Sequence, residues 1–257
     1  TLKDFFVNEK QLPSNSFLLT FDDGFRVVYD IIAPFLKSKG VPAIFFIISA
    51  FIDNKEFFYR CKISLVVEQL LQNKNNNTLV QKCNEILLGK VSGNYESLIT
   101  SIKKITNLNE QLLDELAAVL TISFTDYLEK EQPFLTTQQL GELSKMGFTI
   151  GGHSWDHPYY NLISDAEKIS QTFRSTKYVT EKFSQKNITF SFPHSDAELK
   201  QSFFDEINTG NNIDLFFGIQ NQKDELSNKM LHRFNAERPD LAMKNQLNGV
   251  LLFMLLQ

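Results

Sequence analysis

At 257 residues the chain suits one large domain, or one barrel carrying an insertion, and is long enough to bury a sizeable core. Its apolar fraction of 42% and charged fraction of 22% are ordinary for a globular protein. A net charge of −4, with Lys103–Lys104 as the basic run of note, gives no footprint for nucleic acid. The two cysteines, Cys61 and Cys83, stand in no CxxC or Cys/His pairing. Two free thiols in a reducing compartment are expected ahead of one disulfide. Thr1–Lys10 is charged and lacks the apolar core of a signal peptide, so a cytoplasmic protein is the expectation, although the chain begins without methionine. Val250–Leu256 is very apolar but too short to span a bilayer, and packing of a final helix is its expected use.

Strand and helix patterns alternate along the chain, which predicts an α/β architecture with a parallel sheet or barrel. Phe17–Phe21 is an apolar, aromatic run and reads as a buried strand. Val27–Lys39 follows with a helical stripe of Val28, Ile31, Ile32, Phe35 and Leu36, stopped by Gly40. Pro34 inside it marks a kink or a break. Val41–Ile48 is the second buried strand, and the three elements together fit a right-handed parallel crossover.

From about Asn54 to Gln132 the pattern turns helical, with stripes at Ile63, Val66, Val67, Leu70 and Leu71 and at Leu108, Leu112, Leu113, Leu116 and Leu120. This section reads as a helical insertion in a single domain of residues 1–257, with the Asn73–Asn77 run as a flexible loop. The core resumes with a helix capped by Thr136 or Thr137 and stopped by Gly147. Then come a strand at Phe148–Ile150, a helix over Asp165–Phe183, a strand at Thr189–Phe192 and a helix over Ala197–Ile207. Strands at Leu215–Phe217 and near Met230–Phe234, and a terminal helix, complete the order.

Chemistry gathers where two of these strands run out. The first delivers adjacent carboxylates, Asp22 and Asp23, into a turn at Gly24. Successive strand side chains point to opposite sides, so one aspartate can bind a metal while its neighbour faces a water on that metal. A DDG tripeptide alone is as often an ordinary Asp-rich turn. The third strand leads through Gly151 and Gly152 to His153 and His157, a spacing that suits chelation. A lone histidine is more often structural, but two of the chain's four fall in this one segment. Trp155 and Asp156 between them read as packing and as a solvent-facing or supporting group. Two imidazoles, one carboxylate and a spare carboxylate are enough for a metal-activated water with its own base.

These motifs resemble the polysaccharide deacetylase family, also called the NodB-homology domain or carbohydrate esterase family 4. TFDDG at Thr20–Gly24 matches its first motif, and His153, Ser154 and His157 match its H-[ST]-x-x-H. The flanks APFLKSKGVPAIFFI and LTTQQLGELSKMGFTIGGHS are similar as well. The resemblance implies a distorted (β/α) barrel with one divalent metal, zinc by its donor set, at the strand ends. Asp23, His153 and His157 then hold the metal, Asp22 is the general base, and Ser154 braces the histidine loop. It implies hydrolysis of an acetamide on an N-acetylated sugar of a polysaccharide or glycan precursor.

The later motifs depart from the family pattern. The third is commonly R-x-P-[YFW]-G, whose arginine orients the base. FSFPHS at Phe190–Ser195 keeps Pro193 but places Ser191 where the arginine might stand, His194 for the aromatic and Ser195 for the glycine. The base is therefore expected to be less well oriented, with Pro193, His194 and Arg233 at the substrate and the His194 N–H facing the oxyanion. The last motif supplies a histidine as general acid, and His232 in MLHRF is the candidate, a surface histidine being the other reading. In members with a leucine–x–arginine strand here, Arg233 is the matched residue and His194 another candidate acid. Two alternatives stand beside the deacetylase: a metal-binding module with little turnover, and a deacylase of small amides or cyclic imides. The sequence does not fix the oligomeric state.

Overall fold

The computed structural model describes residues 16–88, 94–197, 199–210, 213–219, 227–237 and 241–248. Thr1–Lys10 and Val250–Leu256, on which two of the expectations above fall, lie outside them. The described residues form two compact units: those within 16–24, 28–49 and 138–248 in the first, and those within 25–27 and 50–137 in the second.

The first unit is built on six strands in the order β1 to β6, each parallel to its neighbours. They are β1 (Leu19–Phe21), β2 (Ala43–Ile47), β3 (Thr149–Gly152), β4 (Thr189–Ser191), β5 (Leu215–Gly218) and β6 (Met230–His232). The sheet curls into a half-barrel. Leu18 beside β1 and Leu231 of β6 pack against one interior cluster of Ile44, Phe46, Leu215 and Phe217, although β1 and β6 are not paired. Strand alternation sends the other side chains outward. There Phe190, Phe192, Phe216 and Met230 pack on Phe203, Phe204 and Ile207 of a covering helix. Much of the chain's phenylalanine is consumed in these two layers.

Helix α1 (Ala33–Ser38) directly continues a π-helical turn at Val28–Ile32, so the helix expected over Val27–Lys39, with a kink or break at Pro34, changes geometry just before that proline. Pro34 sits in the first turn of α1, where its missing N–H and fixed φ cost nothing. In the second unit come α2 (Tyr59–Gln72), α3 (Asn77–Leu88), α4 (Tyr95–Ile102), α5 (Gln111–Leu120) and α6 (Phe124–Glu131). Val66, Leu70, Leu98, Ile102, Leu113, Leu116 and Leu120 form its fully buried apolar centre. The Asn73–Asn77 run is a defined turn. The Asn73 amide donates to Gln69 O, and Asn76 Oδ1 accepts from Leu79 N, so these side chains cap the helices on either side. Neither Cys61 nor Cys83 is in a disulfide, and burial pushes the Cys83 thiol up to about 11.

Helices α7 (Thr137–Lys145), α8 (Asp165–Phe183) and α9 (Gln201–Gly210) complete the set, followed by helical residues 243–248. Among the described residues no helix is long and apolar enough to cross a membrane.

One expectation is corrected in β3. The strand expected at Phe148–Ile150 runs from Thr149 to Gly152, so Gly151 and Gly152 are strand residues. Gly151 lies level with Phe46, and a Cβ there would sit 2.5 Å from the Phe46 ring and from Thr189 Oγ1. The missing side chain makes room for Phe46 in the barrel interior. Gly152 faces outward, where a Cβ would lie 2.8 Å from Ser175 Oγ of α8, so the helix packs directly on the strand. Gly151→Ala is expected to overpack the interior and cost about 1–3 kcal/mol, read from the midpoint of urea unfolding.

Candidate active site

The C-terminal ends of four strands bring polar side chains to one side of the half-barrel. Asp22 follows β1, His153 follows β3, Ser191 closes β4 and Arg233 follows β6. Each lies in inward register: Thr20 pairs with Ile44, Phe46 with Gly151, and Phe217 with both Ser191 and Leu231. Two further residues later in the chain, the inward side chain at each position stands just above the packed interior.

Asp22 is held by a bidentate fork. Arg233 Nη1 donates to Asp22 Oδ1 and Nη2 to Oδ2, both at 2.8 Å. The same guanidinium donates to Thr20 Oγ1 at 2.8 Å and Ser191 Oγ at 2.6 Å, and lies 5.5 Å from the centroid of the Phe46 ring. Burial pushes the Asp22 carboxyl up, but His153 and the Arg233 fork outweigh it, and the group ends below the usual carboxylate range. The sequence reading left the base loosely oriented because Ser191 replaces the expected arginine. Space corrects this, since the arginine comes from β6 and Ser191 leaves room for it.

Asp23 brings a carboxylate to the same imidazole as Asp22: His153 Nε2 is 3.4 Å from Asp23 Oδ1 and 3.8 Å from Asp22 Oδ2. The Asp23 backbone is left-handed, with φ 73°, as are Ser154 (64°), His157 (65°) and His194 (57°). Such conformations are costly for residues other than glycine, and their clustering is typical of sites whose geometry is set by function. Here they bring Asp23, His153 and His157 together, with one ligand atom from each within 4.8 Å of the others. The two Nε2 atoms are 3.1 Å apart, and each is 3.4 Å from Asp23 Oδ1. His153 Nδ1 donates to the Ser191 carbonyl at 2.8 Å, which turns the lone pair of Nε2 into the cluster.

Two imidazole lone pairs that close repel unless a proton or a cation stands between them. Ligands about 2.0–2.1 Å from a tetrahedral divalent cation lie about 3.3 Å from each other, so the spacing fits a metal. Ser154 Oγ accepts the His157 N–H at 3.0 Å and fixes the loop. Burial alone pushes His153 down. Asp22, Asp23 and the Ser191 carbonyl more than offset it, and its pKa lies above the ordinary imidazole value.

His194 is brought to the same place. Its ring stacks on Tyr159 at 3.7 Å and 9° and meets the His157 ring edge-on at 4.3 Å, with buried Pro193 before it. His232 is not brought there. It pairs with Gly218 on the outward face of β6, where its Nδ1 is 3.4 Å from Asp196 Oδ2, while the next residue, Arg233, points inward. The sequence reading also passed over Thr20, Tyr159 and the carbonyl of Ser191. Thr20 stood inside a recognised motif; neither of the others carried a signal in residue type or spacing.

The geometry is matched by what the chain is similar to. The profile described as polysaccharide deacetylase covers residues 9–202, about three quarters of the chain, and the chain belongs to that family. No curated protein matches the chain. Among solved structures, the Streptococcus pyogenes deacetylase PplD in complex with acetate aligns with a TM-score of 0.56 at 14% identity, over 96% of this chain and 75% of that one. IcaB from Ammonifex degensii aligns with a TM-score of 0.53 at 16% identity, over 93% and 74%. A de-N-acetylase from Aggregatibacter actinomycetemcomitans aligns with a TM-score of 0.51 at 14% identity, over 90% and 74%. At these identities the likeness is one of fold. The family profile ends before β5 and β6, so Arg233 lies outside the matched segment.

Replacing Arg233 by methionine removes the fork while keeping a long side chain over Phe46. The Asp22 carboxyl is expected to titrate at higher pH than in the parent, followed by carbon-13 NMR of the aspartate carboxyls. An unchanged titration would remove the fork as the reason for its low value.

Proposed function

We propose that this chain is a zinc-dependent deacetylase that hydrolyses the acetamide of N-acetylated sugars in a polysaccharide or glycan precursor. The observation that carries the reading is the Arg233-held Asp22 beside the convergent atoms of Asp23, His153 and His157. Family membership supports it, and so does the likeness in fold to a deacetylase solved in complex with acetate. Two histidines and one carboxylate suit zinc.

Asp23, His153 and His157 would hold the cation, which when bound lowers the pKa of water and polarises a carbonyl oxygen. Asp22 takes the proton as the water oxygen bonds to the acetyl carbon. Its low pKa keeps it ionised at neutral pH, and the Arg233 fork holds the acceptor oxygens in place. As the C–N bond breaks, the amine nitrogen needs a proton. His194 is the nearest histidine that is not itself a ligand, and we assign the donor role to it in place of His232. The products are acetate and the free amine. The binding-module reading leans on the altered third motif and on the unidentified general acid; the Arg233 fork on Asp22 weighs against it on the first count.

Asp22→Asn is expected to lower zinc-dependent acetate release from N-acetylated oligosaccharides by about 10²–10⁴-fold with zinc affinity unchanged. Loss of zinc binding in that variant would instead make Asp22 a ligand, and release that persists without zinc would overturn the metal role. Protons compete with the cation for His153, whose pKa is raised, whereas Asp22 stays ionised to lower pH. Zinc affinity is therefore expected to fall as pH drops through a value above about 6.5, by roughly tenfold per pH unit for each proton displaced. Calorimetric zinc titrations between pH 8 and pH 6 measure it; affinity that stays flat to below pH 6 would contradict the raised histidine.

A further inference from the structure

The loop between the two histidines has lost its backbone partners. The β2–β3 ladder continues as far as His153, whose N–H donates to Ile47 O at 2.9 Å, and the Ser154 carbonyl, which accepts from Ser49 N at 3.4 Å. The next three N–H groups, of Trp155, Asp156 and His157, all end on side chains. Ser154 Oγ takes the N–H of His157. Gln171 Oε1 takes both others, Trp155 N at 2.9 Å and Asp156 N at 3.3 Å. Gln171 itself is 3% exposed.

Its orientation is imposed from the other end. Gln171 Nε2 donates to Glu167 Oε1 at 3.0 Å, which turns the amide oxygen to the loop. Glu167 is itself anchored through its N–H on the N-capping Ser164 Oγ at 3.2 Å. The rest of that face of α8 also serves the loop. The Arg174 guanidinium lies 4.1 Å from the centroid of the Trp155 ring, and Tyr178 meets the same ring edge-on. Positions 171, 174, 175 and 178 form one helical stripe. A helix face buried on a sheet is ordinarily apolar, yet Lys168, Gln171, Thr172, Ser175 and Thr176 are all buried here. Each is hydrogen-bonded, Lys168 to Asp165, Thr172 to Tyr160 and the Lys168 carbonyl, Ser175 to Ser49 and Thr176 to the Thr172 carbonyl, while Gln171 gives its amide oxygen to the histidine loop.

We propose that Gln171 is a positioning residue for the metal site: its amide oxygen holds the His153–His157 loop in the doubly left-handed conformation that points both Nε2 atoms at one place. This rests on the reading of Asp23, His153 and His157 as metal ligands. The side chain touches neither metal nor substrate. It acts through the backbone between the two ligands, where Ser154 and His157 carry the strain.

The test is zinc titration of the full chain, with no substrate present. Gln171→Met keeps length and apolar reach but has no acceptor. Its zinc affinity is expected to fall about 10–100-fold, the range typical of groups that orient ligands from behind. The double variant Glu167→Gln with Gln171→Glu exchanges donor and acceptor along α8 and leaves an oxygen for both N–H groups. It is expected to bind zinc within about threefold of the parent. A merely structural role lowers the metal-free unfolding midpoint of Gln171→Met and leaves zinc affinity unchanged, and that result overturns the proposal. Equal weakening in both variants overturns it too, since packing and not the acceptor would then be at work. Should Gln171→Met fail to fold, the double variant decides alone: affinity within about threefold sustains the proposal, and a tenfold loss ends it. Failure of the parent chain to bind zinc, or binding that survives His153→Ala, strikes instead at the ligand reading.

Discussion

A six-stranded half-barrel whose first and last strands do not pair has an open seam, and here one guanidinium crosses it. Arg233 leaves the end of β6 and reaches Thr20 and Asp22 at the end of β1 and Ser191 at the end of β4. The planar fork suits a carboxylate in a way a lysine does not, because two parallel N–H bonds fix the orientation of the acceptor as well as its charge. The Phe46 ring lies beneath it, and Phe46 has room only because Gly151 has no side chain. A packing decision in the barrel interior thus supports the electrostatic one above it.

The second constraint is the geometry of the Asp23, His153 and His157 cluster. Asp23 and His157 point inward because their backbones are left-handed, and each such residue stores strain that its surroundings must offset. For the histidine loop those surroundings are side chains: Ser154 within the loop and Gln171 from α8. On the buried polar stripe of α8, Gln171 is the member whose side chain bonds the loop, while Lys168, Thr172, Ser175 and Thr176 bond elsewhere. Placing the charged groups together also sets their protonation. The neighbouring cationic groups hold Asp22 ionised, and the two aspartates raise His153.

The second unit follows a different logic. Its helices bury a leucine- and isoleucine-rich centre, and its two ends are tied to each other. Asp53 N–H donates to Leu135 O, while the Asn54 amide both donates to the Phe134 carbonyl and accepts the Phe134 N–H. Phe134 also stacks with Phe25, the residue after the Asp22–Asp23–Gly24 turn, at 5.4 Å. The chain thus passes from the aspartate turn into an aromatic contact of this unit within one residue.

Much of this was legible in the sequence. Apolar runs located all six strands, and the helix read over Asp165–Phe183 has those bounds as α8. The TFDDG and HSWDH segments carried Asp22, Asp23, His153 and His157 because their chemistry is local: ligands close in the chain, just past strand ends. The tertiary structure decided the rest. Whether Arg233 or His232 faces the site is a matter of one-residue register on β6, and register is set by pairing with β5. That Arg233 stands in for an arginine absent at Ser191, and that Gln171 reaches the histidine loop from sixteen residues away, follow from how strands and helix pack. Local sequence specifies which side chains a segment offers; only the closed fold determines which of them meet, because a contact between distant segments depends on the position of both.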